Sequence, residues 1–444
     1  MALTLMKGSE AIAEAAIRAG CRYFFGYPIT PQTEIPEYMS ARMPEIGGCF
    51  LQAESEVGAI NMVYGAAGTG ARVLTSSSSP GVSLKQEGIS YIAASELPCV
   101  IMNVMRGGPG LGSIQAGQGD YFQATKGGGH GDYRLVVFAP ASVQEAIDLM
   151  EVAFDTADKY RNPVMVVADG MICQMMEPVI LPEMKEYKID YTKKPWAANG
   201  HGAKDKPSRA IINSLYIDPS ALEKHVNKLY AKYAVMEQNE CRWQEELTED
   251  ADYILVAYGT TARIARSAMR KLRDKGIKAG LIRPITLWPF PNAPIQAAAT
   301  HAKCFLTVEM SMGQMVDDVR LAVNGERPVE FYGRTGGMVP TVKEIVDHIM
   351  GMAQPSGFAG QVDQAIGSMG EKLGEMGRKL DEKLNSPEFV EKTEALKKQA
   401  ADVAGKAADG LAKGATLMAE GIGKAIDAIK KSIDGDQNPK GGDR

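Results

Sequence analysis

Apolar positions along this chain change their spacing at regular intervals. Steps of three and four residues give way to short runs rich in β-branched and aromatic side chains. The first spacing marks amphipathic helices and the second marks strands. From residue 8 the order reads helix 8–19, strand CRYFFGYP, helix 31–42, strand GGCFLQA, helix 55–66, strand ARVLTSS, helix 83–94 and strand PCVIMNVM. RLVVFAP, the helical SVQEAIDLMEVAFDTADKY and PVMVVADG carry the alternation to about residue 170. Such alternation builds a parallel sheet covered by helices, so residues 1–185 are expected to form one doubly wound α/β domain.

Residues 186–248 open with the polar KKPWAANGHGAKDKPSR and continue as a charged helical stretch, ALEKHVNKLYAKYAVMEQNECRWQEEL, which reads as a connector. A second α/β unit is expected over 249–352: strand YILVAYG, helix 261–274, one long strand KAGLIRPITLWPFP, helix 292–299, strand KCFLTVEM, helix 312–323, strand PVEFYG and helix 340–352. Residues 353–444 then lose their β-branched runs. Val362, Ile366, Met369, Leu373, Met376, Leu380 and Leu384 form a stripe that Leu411, Met418, Ile422, Ile426, Ile429 and Ile433 resume, predicting an amphipathic helical tail with a break near Pro387. Its glycines each weaken a helix by about 1 kcal/mol. The tail therefore calls for a partner surface, and its mixed-charge polar face argues against a membrane.

Composition narrows the class. The 444 residues exceed one typical core. With 49 basic and 54 acidic residues, a net charge of -5 and no basic block, nothing suggests a nucleic-acid partner. Cys21, Cys49, Cys99, Cys173, Cys241 and Cys304 stand too far apart for a zinc or iron–sulfur motif and read as reduced thiols. The N-terminus turns quickly into a charged helical pattern, unlike a signal peptide, and no run has the length of a transmembrane segment. A cytoplasmic protein is expected.

Ligands of open α/β sheets bind beyond the carboxyl ends of the strands. Five loops qualify: GYPITPQTE (26–34), AESE (53–56), TSSSSPG (75–81), MRGGPGLGSIQAGQGD (105–120) and ADGMICQ (168–174). Glycine, serine and threonine in them let backbone approach a ligand and supply small donors, although each alone reads equally as a turn. If a helix starts near Ser55, Glu56 shares a stripe with Ile60 and Val63 and heads the buried face, while Glu54 falls to solvent or to capping. A carboxyl desolvated there holds or shares a proton more readily. Arg106 leaves a buried strand for a glycine-rich loop, where its fork suits either a ligand carboxylate or a structural tie to a carbonyl or acid. His130 sits in a loop whose simplest reading is a backbone-bonded histidine. Gly259-Thr260-Thr261 lacks a full phosphate-binding fingerprint and reads as plain topology.

GYPITPQTEIPEYM, QAESEVGAINMVYGAA, SSSSPGVSLKQEGISYIAASELP, NVMRGGPGLG and KGGGHGDYR, in this order, resemble the thiamine-diphosphate pyrimidine domain of the 2-oxoacid:ferredoxin oxidoreductases. YILVAYGTTARIARSA, GLIRPITLWPFP and VEMSMGQM resemble that family's second domain, of the transketolase C-terminal type. The likeness spans about residues 5–350. It implies two doubly wound parallel-sheet domains. It also implies a thiamine diphosphate whose aminopyrimidine lies between this subunit and a partner, with Glu56 bonding ring nitrogen N1′ as a proton relay. Pro28, Ile29 and Thr30 would line the cofactor, and Thr30 and Arg106 would bind the substrate.

The implied reaction is oxidative decarboxylation of a 2-oxo acid to acyl-coenzyme A and carbon dioxide, with ferredoxin as electron acceptor. The chain has no GDG with a following Asn-rich segment. The resemblance therefore places diphosphate and Mg2+ on a diphosphate-binding catalytic subunit and the iron–sulfur clusters on a ferredoxin-like subunit, beside a further small subunit. Only the assembled complex would be active. The loop RGGPGLGSIQ resembles the branch acting on 2-oxoisovalerate (3-methyl-2-oxobutanoate) more than the 2-oxoglutarate branch. Since an apolar pocket separates substrates by about 1–3 kcal/mol per methylene, 2-oxoglutarate or pyruvate remain alternatives. So do an oxoacid decarboxylase that passes no electrons to ferredoxin and a non-catalytic assembly subunit with a docking tail.

Overall fold

A computed structural model describes residues 3–186, 188–200 and 210–353; the helical tail expected from 354 to 444 lies outside the described residues. The strands are β1 (Leu3–Lys7), β2 (Tyr23–Gly26), β3 (Cys49–Gln52), β4 (Val73–Ser77), β5 (Cys99–Met105), β6 (Val136–Phe138), β7 (Pro163–Asp169), β8 (Met176–Ile180), β9 (Trp243–Glu246), β10 (Tyr253–Val256), β11 (Ala279–Pro284), β12 (Thr286–Trp288), β13 (Cys304–Glu309) and β14 (Val329–Gly333). The helices are α1 (Gly8–Arg18), α2 (Glu34–Glu45), α3 (Glu56–Gly68), α4 (Ser79–Ala94), α5 (Tyr121–Thr125), α6 (Val143–Tyr160), α7 (Gly170–Gln174), α8 (Pro219–Asn239), α9 (Gly259–Asp274), α10 (Asn292–Ala299), α11 (Met315–Val323) and α12 (Val342–Ala353). None of them is long and apolar enough to cross a membrane.

Local chemistry sets where these elements begin. Ser142 Oγ accepts from the Glu145 amide (3.1 Å) and Glu145 Oε2 accepts from the Ala141 amide (2.7 Å), a reciprocal cap at the start of α6. Behind it Val143, Ile147, Met150 and Phe154 return every three or four residues as the buried stripe. Strands β5 and β7 are buried along their whole length, as central strands between two helix layers must be.

The larger sheet runs β12-β6-β7-β5-β4-β2-β3 and the smaller β14-β13-β10-β11-β9; β1 and β8 form a separate antiparallel ribbon. Alternate residues of β5 serve opposite faces. Val100, Met102 and Val104 share a core with α1, α2 and α6, while Cys99, Ile101 and Met105 share one with α3 and α4. The second core continues into Ile254, Val256, Ile282 and Phe305 of the smaller sheet, so the two sheets share apolar interior, and residues up to Ala353 form one unit.

Two expectations differ from the structure. The single strand expected at 278–291 is two. Pro284 ends β11 beside Trp243, and after Ile285 the chain enters β12, which pairs antiparallel with β6 of the other sheet. CRWQEEL, expected as the end of the connector helix, is edge strand β9, antiparallel to β11; pairing overrides helix propensity there, and charged side chains suit an edge. Because of β9 and β12 each sheet is parallel except at one edge.

Candidate active site

The helix after β2 lies on one face of the larger sheet, and the helix after the adjacent β4 lies on the other. Their loops part at that point, and such a divergence opens the ligand crevice of a doubly wound sheet. Loops 26–34, 53–56, 75–81, 105–120 and 168–174 all leave carboxyl ends of parallel strands of this sheet.

Glu56 is the first residue of α3 and is buried, 6% exposed, together with Ile60 and Val63. Ser55 caps the helix, its Oγ accepting from the Gly58 amide at 3.0 Å, and that hydroxyl also donates to exposed Glu54 at 3.2 Å. Capping thus falls to Ser55, whose hydroxyl Glu54 holds, and no hydrogen bond or ion pair with a described residue engages the Glu56 carboxylate. It rests against Gly81 of α4. A Cβ there would stand 2.6 Å from Glu56 Oε1 and 2.1 Å from Ser77 Oγ. Among the described residues the buried hydroxyls of Ser77 and Ser78 have no hydrogen-bond partner, nor have Asn103 Oδ1 and Arg106 Nε. Buried polar atoms are normally satisfied, so orphans clustered at the carboxyl ends of β4 and β5, with Ser77 beside the Glu56 carboxylate, mark a place completed by a ligand.

Arg106 is 6% exposed, and its fork divides between two carbonyls, donating to Thr30 O at 2.8 Å and Leu111 O at 2.7 Å. The structure thereby joins the first and fourth loops and brings Arg106 to Thr30. Thr30 and Pro28 are exposed, Ile29 is half-buried, and Gln32, buried below them, accepts from the Ser76 hydroxyl. The Arg106 amide donates to Ser79 Oγ (3.0 Å), which donates to Asp120 Oδ2 (2.6 Å), and Asn103 Nδ2 donates to the same oxygen (2.9 Å). Burial pushes the Asp120 carboxyl up; Ser79, Asn103 and the Arg106 charge oppose this. Two clefts open here. One of about 300 Å³ is lined by Ser79, Gly107, Asp120 and Met310, the other of about 360 Å³ by Thr30, Pro31, Glu34, Ile114, Ala116 and Met171.

The glycine-rich loop is anchored to the smaller sheet by Gln118, whose Nε2 donates to Tyr258 O (2.9 Å) and whose Oε1 accepts from the Met310 amide (2.9 Å). The turn at 259–261 is structural: the Thr260 amide and hydroxyl donate to buried Asp169 at 3.2 and 2.8 Å, which fills the start of α9. His130 is exposed. Sequence reasoning gives no role to Asp120, Asn103, Gln118 or Lys85, although Gln118 and Asp120 fall in loop 105–120, Asn103 in NVMRGGPGLG, and Lys85 in SSSSPGVSLKQEGISYIAASELP and on the helical stripe Val82, Lys85, Ile89, Ile92.

Residues 14–242 match the family model described as pyruvate flavodoxin/ferredoxin oxidoreductase, thiamine diP-binding, and residues 251–345 match pyruvate:ferredoxin oxidoreductase core domain II. The chain belongs to the 2-oxoacid:ferredoxin oxidoreductase family. It is 48% identical over 357 residues to the ketoisovalerate oxidoreductase subunit VorB of Methanothermobacter thermautotrophicus, covering 80% of this chain and 99% of that one. The 2-oxoglutarate synthase subunit KorA of the same organism is 38% identical over 373 residues, 78% of this chain and 98% of the relative. Among solved structures, the 2-oxoglutarate:ferredoxin oxidoreductase from Magnetococcus marinus with 2-oxoglutarate, coenzyme A and succinyl-CoA bound superposes with a TM-score of 0.71 at 27% identity, over 79% of this chain and 65% of that chain. This oxidoreductase subunit carries the family's thiamine-diphosphate-binding domain, and the free carboxylate, orphan hydroxyls and absent Cβ at Gly81 fit a polar heteroaromatic ring.

Proposed function

We propose that this chain is the pyrimidine-binding subunit of an oxidoreductase that decarboxylates 2-oxoisovalerate to its acyl-coenzyme A, with ferredoxin accepting the electrons. The observation that carries the reading is Glu56, a buried carboxylate at the sheet's divergence point with no hydrogen-bond or ion-pair partner among the described residues. Thiamine diphosphate, when bound, supplies the carbanion chemistry, and the protein supplies orientation and proton handling. Glu56 would hold ring nitrogen N1′, Ser77 and Ser78 would face the ring, and Pro28, Ile29 and Thr30 would line it. Arg106, with Nε unengaged, and Thr30 would receive the 2-oxo acid's carboxylate. Mg2+, the diphosphate and the iron–sulfur clusters are assigned to a diphosphate-binding subunit and a ferredoxin-like subunit, with a further small subunit completing the complex. The proposed location is the cytoplasm. The proposed domain limits are 1–185, 186–248, 249–352 and 353–444.

The cleft beside Thr30 supports a branched apolar substrate. Pro31, Ile114, Ala116 and Met171 line it, and its one charged residue, Glu34, is ion-paired with Lys7 at 2.5 Å; against burial, hydrogen bonding from Lys7 and Gln174 holds its carboxyl below its ordinary pKa. A second substrate carboxylate would meet that charge. The test is ferredoxin or viologen reduction by the purified complex across a panel of 2-oxo acids with coenzyme A. 2-Oxoisovalerate is expected to give the highest kcat/KM, and higher values for 2-oxoglutarate or pyruvate would overturn the substrate choice. Glu56→Ala is expected to abolish turnover in an assembled complex; unchanged turnover would leave an assembly subunit.

A further inference from the structure

Lys85 lies at the middle of α4 with no exposed surface. Its Nζ donates to Thr75 Oγ1 at 2.5 Å and to Ser76 O at 3.1 Å, both at the end of β4, and the Thr75 hydroxyl donates on to Phe25 O of β2 at 2.6 Å. The ammonium is therefore joined, through Thr75, to both of the paired strands whose following loops part to make the crevice. Gly81, the residue against which the Glu56 carboxylate rests, precedes Lys85 by one helical turn, so both groups lie on one face of α4. Among the described residues Lys85 has no ion pair, and a lysine buried in this way is costly to keep.

The groups facing Lys85 are the Glu56 carboxylate from α3, the Cys99 thiol from β5, and Thr75 and Ser76 from β4. Burial pushes the Cys99 thiol up to about 12, which keeps it neutral. Glu56 thus packs on the α4 face that carries Lys85, beside Gly81 one turn before it, and its carboxylate opposes the effect of burial on the Lys85 ammonium. We propose that Lys85 is a positioning residue for Glu56, its buried charge setting the protonation state in which that carboxylate meets the aminopyrimidine. Lys85 bonds only the strand ends, so it touches no reacting atom. The assignment rests on the proposed role of Glu56 and adds the group that tunes it.

Two substitutions remove the charge differently. Lys85→Gln keeps a donor for Thr75 and Ser76, and Lys85→Met keeps the volume. Infrared difference spectra of the cofactor-free full chain, each protein against its own Glu56→Gln counterpart, isolate the titration of Glu56. Its midpoint is expected to move to higher pH by about 1 unit in both variants, since loss of a nearby cation favours the protonated carboxyl. An unmoved midpoint in Lys85→Gln would overturn the proposal, whatever Lys85→Met does to folding. In the assembled complex, exchange of the cofactor's C2 proton for deuterium is followed by acid quench and NMR. The acid limb of that rate should shift in the same direction, with KM for the 2-oxo acid unchanged. If Glu56→Gln leaves C2 exchange unaltered, the cofactor role of Glu56 fails by itself, and the infrared midpoint still decides whether Lys85 governs its charge.

Discussion

The Arg106 guanidinium donates to the carbonyl of Thr30 across 76 positions of sequence, at 2.8 Å, and to the carbonyl of Leu111 within its own loop at 2.7 Å. One planar fork therefore fixes the distance between the loop after β2 and the glycine-rich loop after β5. An ammonium can neither span both carbonyls in that geometry nor offer the remaining Nε donor. Arg106→Lys should raise KM for the 2-oxo acid by about tenfold or more, with a smaller loss in kcat, because about 1–3 kcal/mol of charge-assisted hydrogen bonding is removed. Steady-state kinetics of the complex check this. A change confined to kcat would show that Arg106 acts only after binding.

Gly81 gives a second prediction. In a helix, Gly→Ala usually adds about 0.4–1 kcal/mol of stability through the unfolded chain. Here the methyl would meet Ser77 Oγ and Glu56 Oε1, and such overpacking costs about 1–3 kcal/mol. Gly81→Ala should therefore lower the thermal midpoint of the cofactor-free chain, by a net loss of up to about 2.6 kcal/mol. Thiamine-diphosphate affinity of the complex should weaken by roughly ten- to a hundredfold, which calorimetric titration measures.

What the sequence reveals of this site divides by the range of the interactions. Glu56 is legible because helix phase alone separates it from Glu54, and Ser55 between them has the side chain of a cap. The five loops are legible because strand alternation places them on one sheet edge. Lys85 sits on an equally legible stripe, yet lysine on a helix ordinarily reads as solvated, and its acceptors at Thr75 and Ser76 appear only once β4 lies beneath α4. The joining of Ser79, Asn103 and Asp120 depends on three segments meeting. The split at Ile285 is hidden because an apolar run does not say which sheet it enters, and β9 is hidden because an edge strand tolerates the charges that suggest a helix.

Lys85 also has a thermodynamic signature. Burial pushes its ammonium from 10.5 down to about 7, with Glu56 opposing the shift. Between those values the unfolded chain binds a proton that the folded chain lacks, so this group adds stability as pH rises from about 7 and withdraws it as pH falls back through 7. The unfolding free energy of the wild-type chain should therefore rise between pH 7 and 10 relative to Lys85→Met, by at most about 1.4 kcal/mol per pH unit. Urea titrations of both proteins across that window test it, and parallel pH dependences would mean that Lys85 stays charged in the fold.

Gln118 and Thr261 share the task of holding the glycine-rich loop to the smaller sheet, which makes their effects non-additive. Tyr258 O accepts from both Gln118 Nε2 (2.9 Å) and Thr261 Oγ1 (2.7 Å), while the Met310 amide donates to Gln118 Oε1. Thr261→Val leaves Tyr258 O its bond from Gln118 and should cost about 0.5–1.5 kcal/mol. Gln118→Leu leaves Tyr258 O its bond from Thr261 but strands the buried Met310 amide, which costs about 1–3 kcal/mol. Only the double variant leaves Tyr258 O with nothing but the long 3.3 Å bond from the Ala262 amide. Its destabilisation should exceed the sum of the singles by about 0.5–3 kcal/mol, the range for residues in one hydrogen-bond network. Chemical denaturation of the four proteins of the cycle measures the coupling, and simple additivity would show that water replaces the lost donors and that the loop is held from elsewhere.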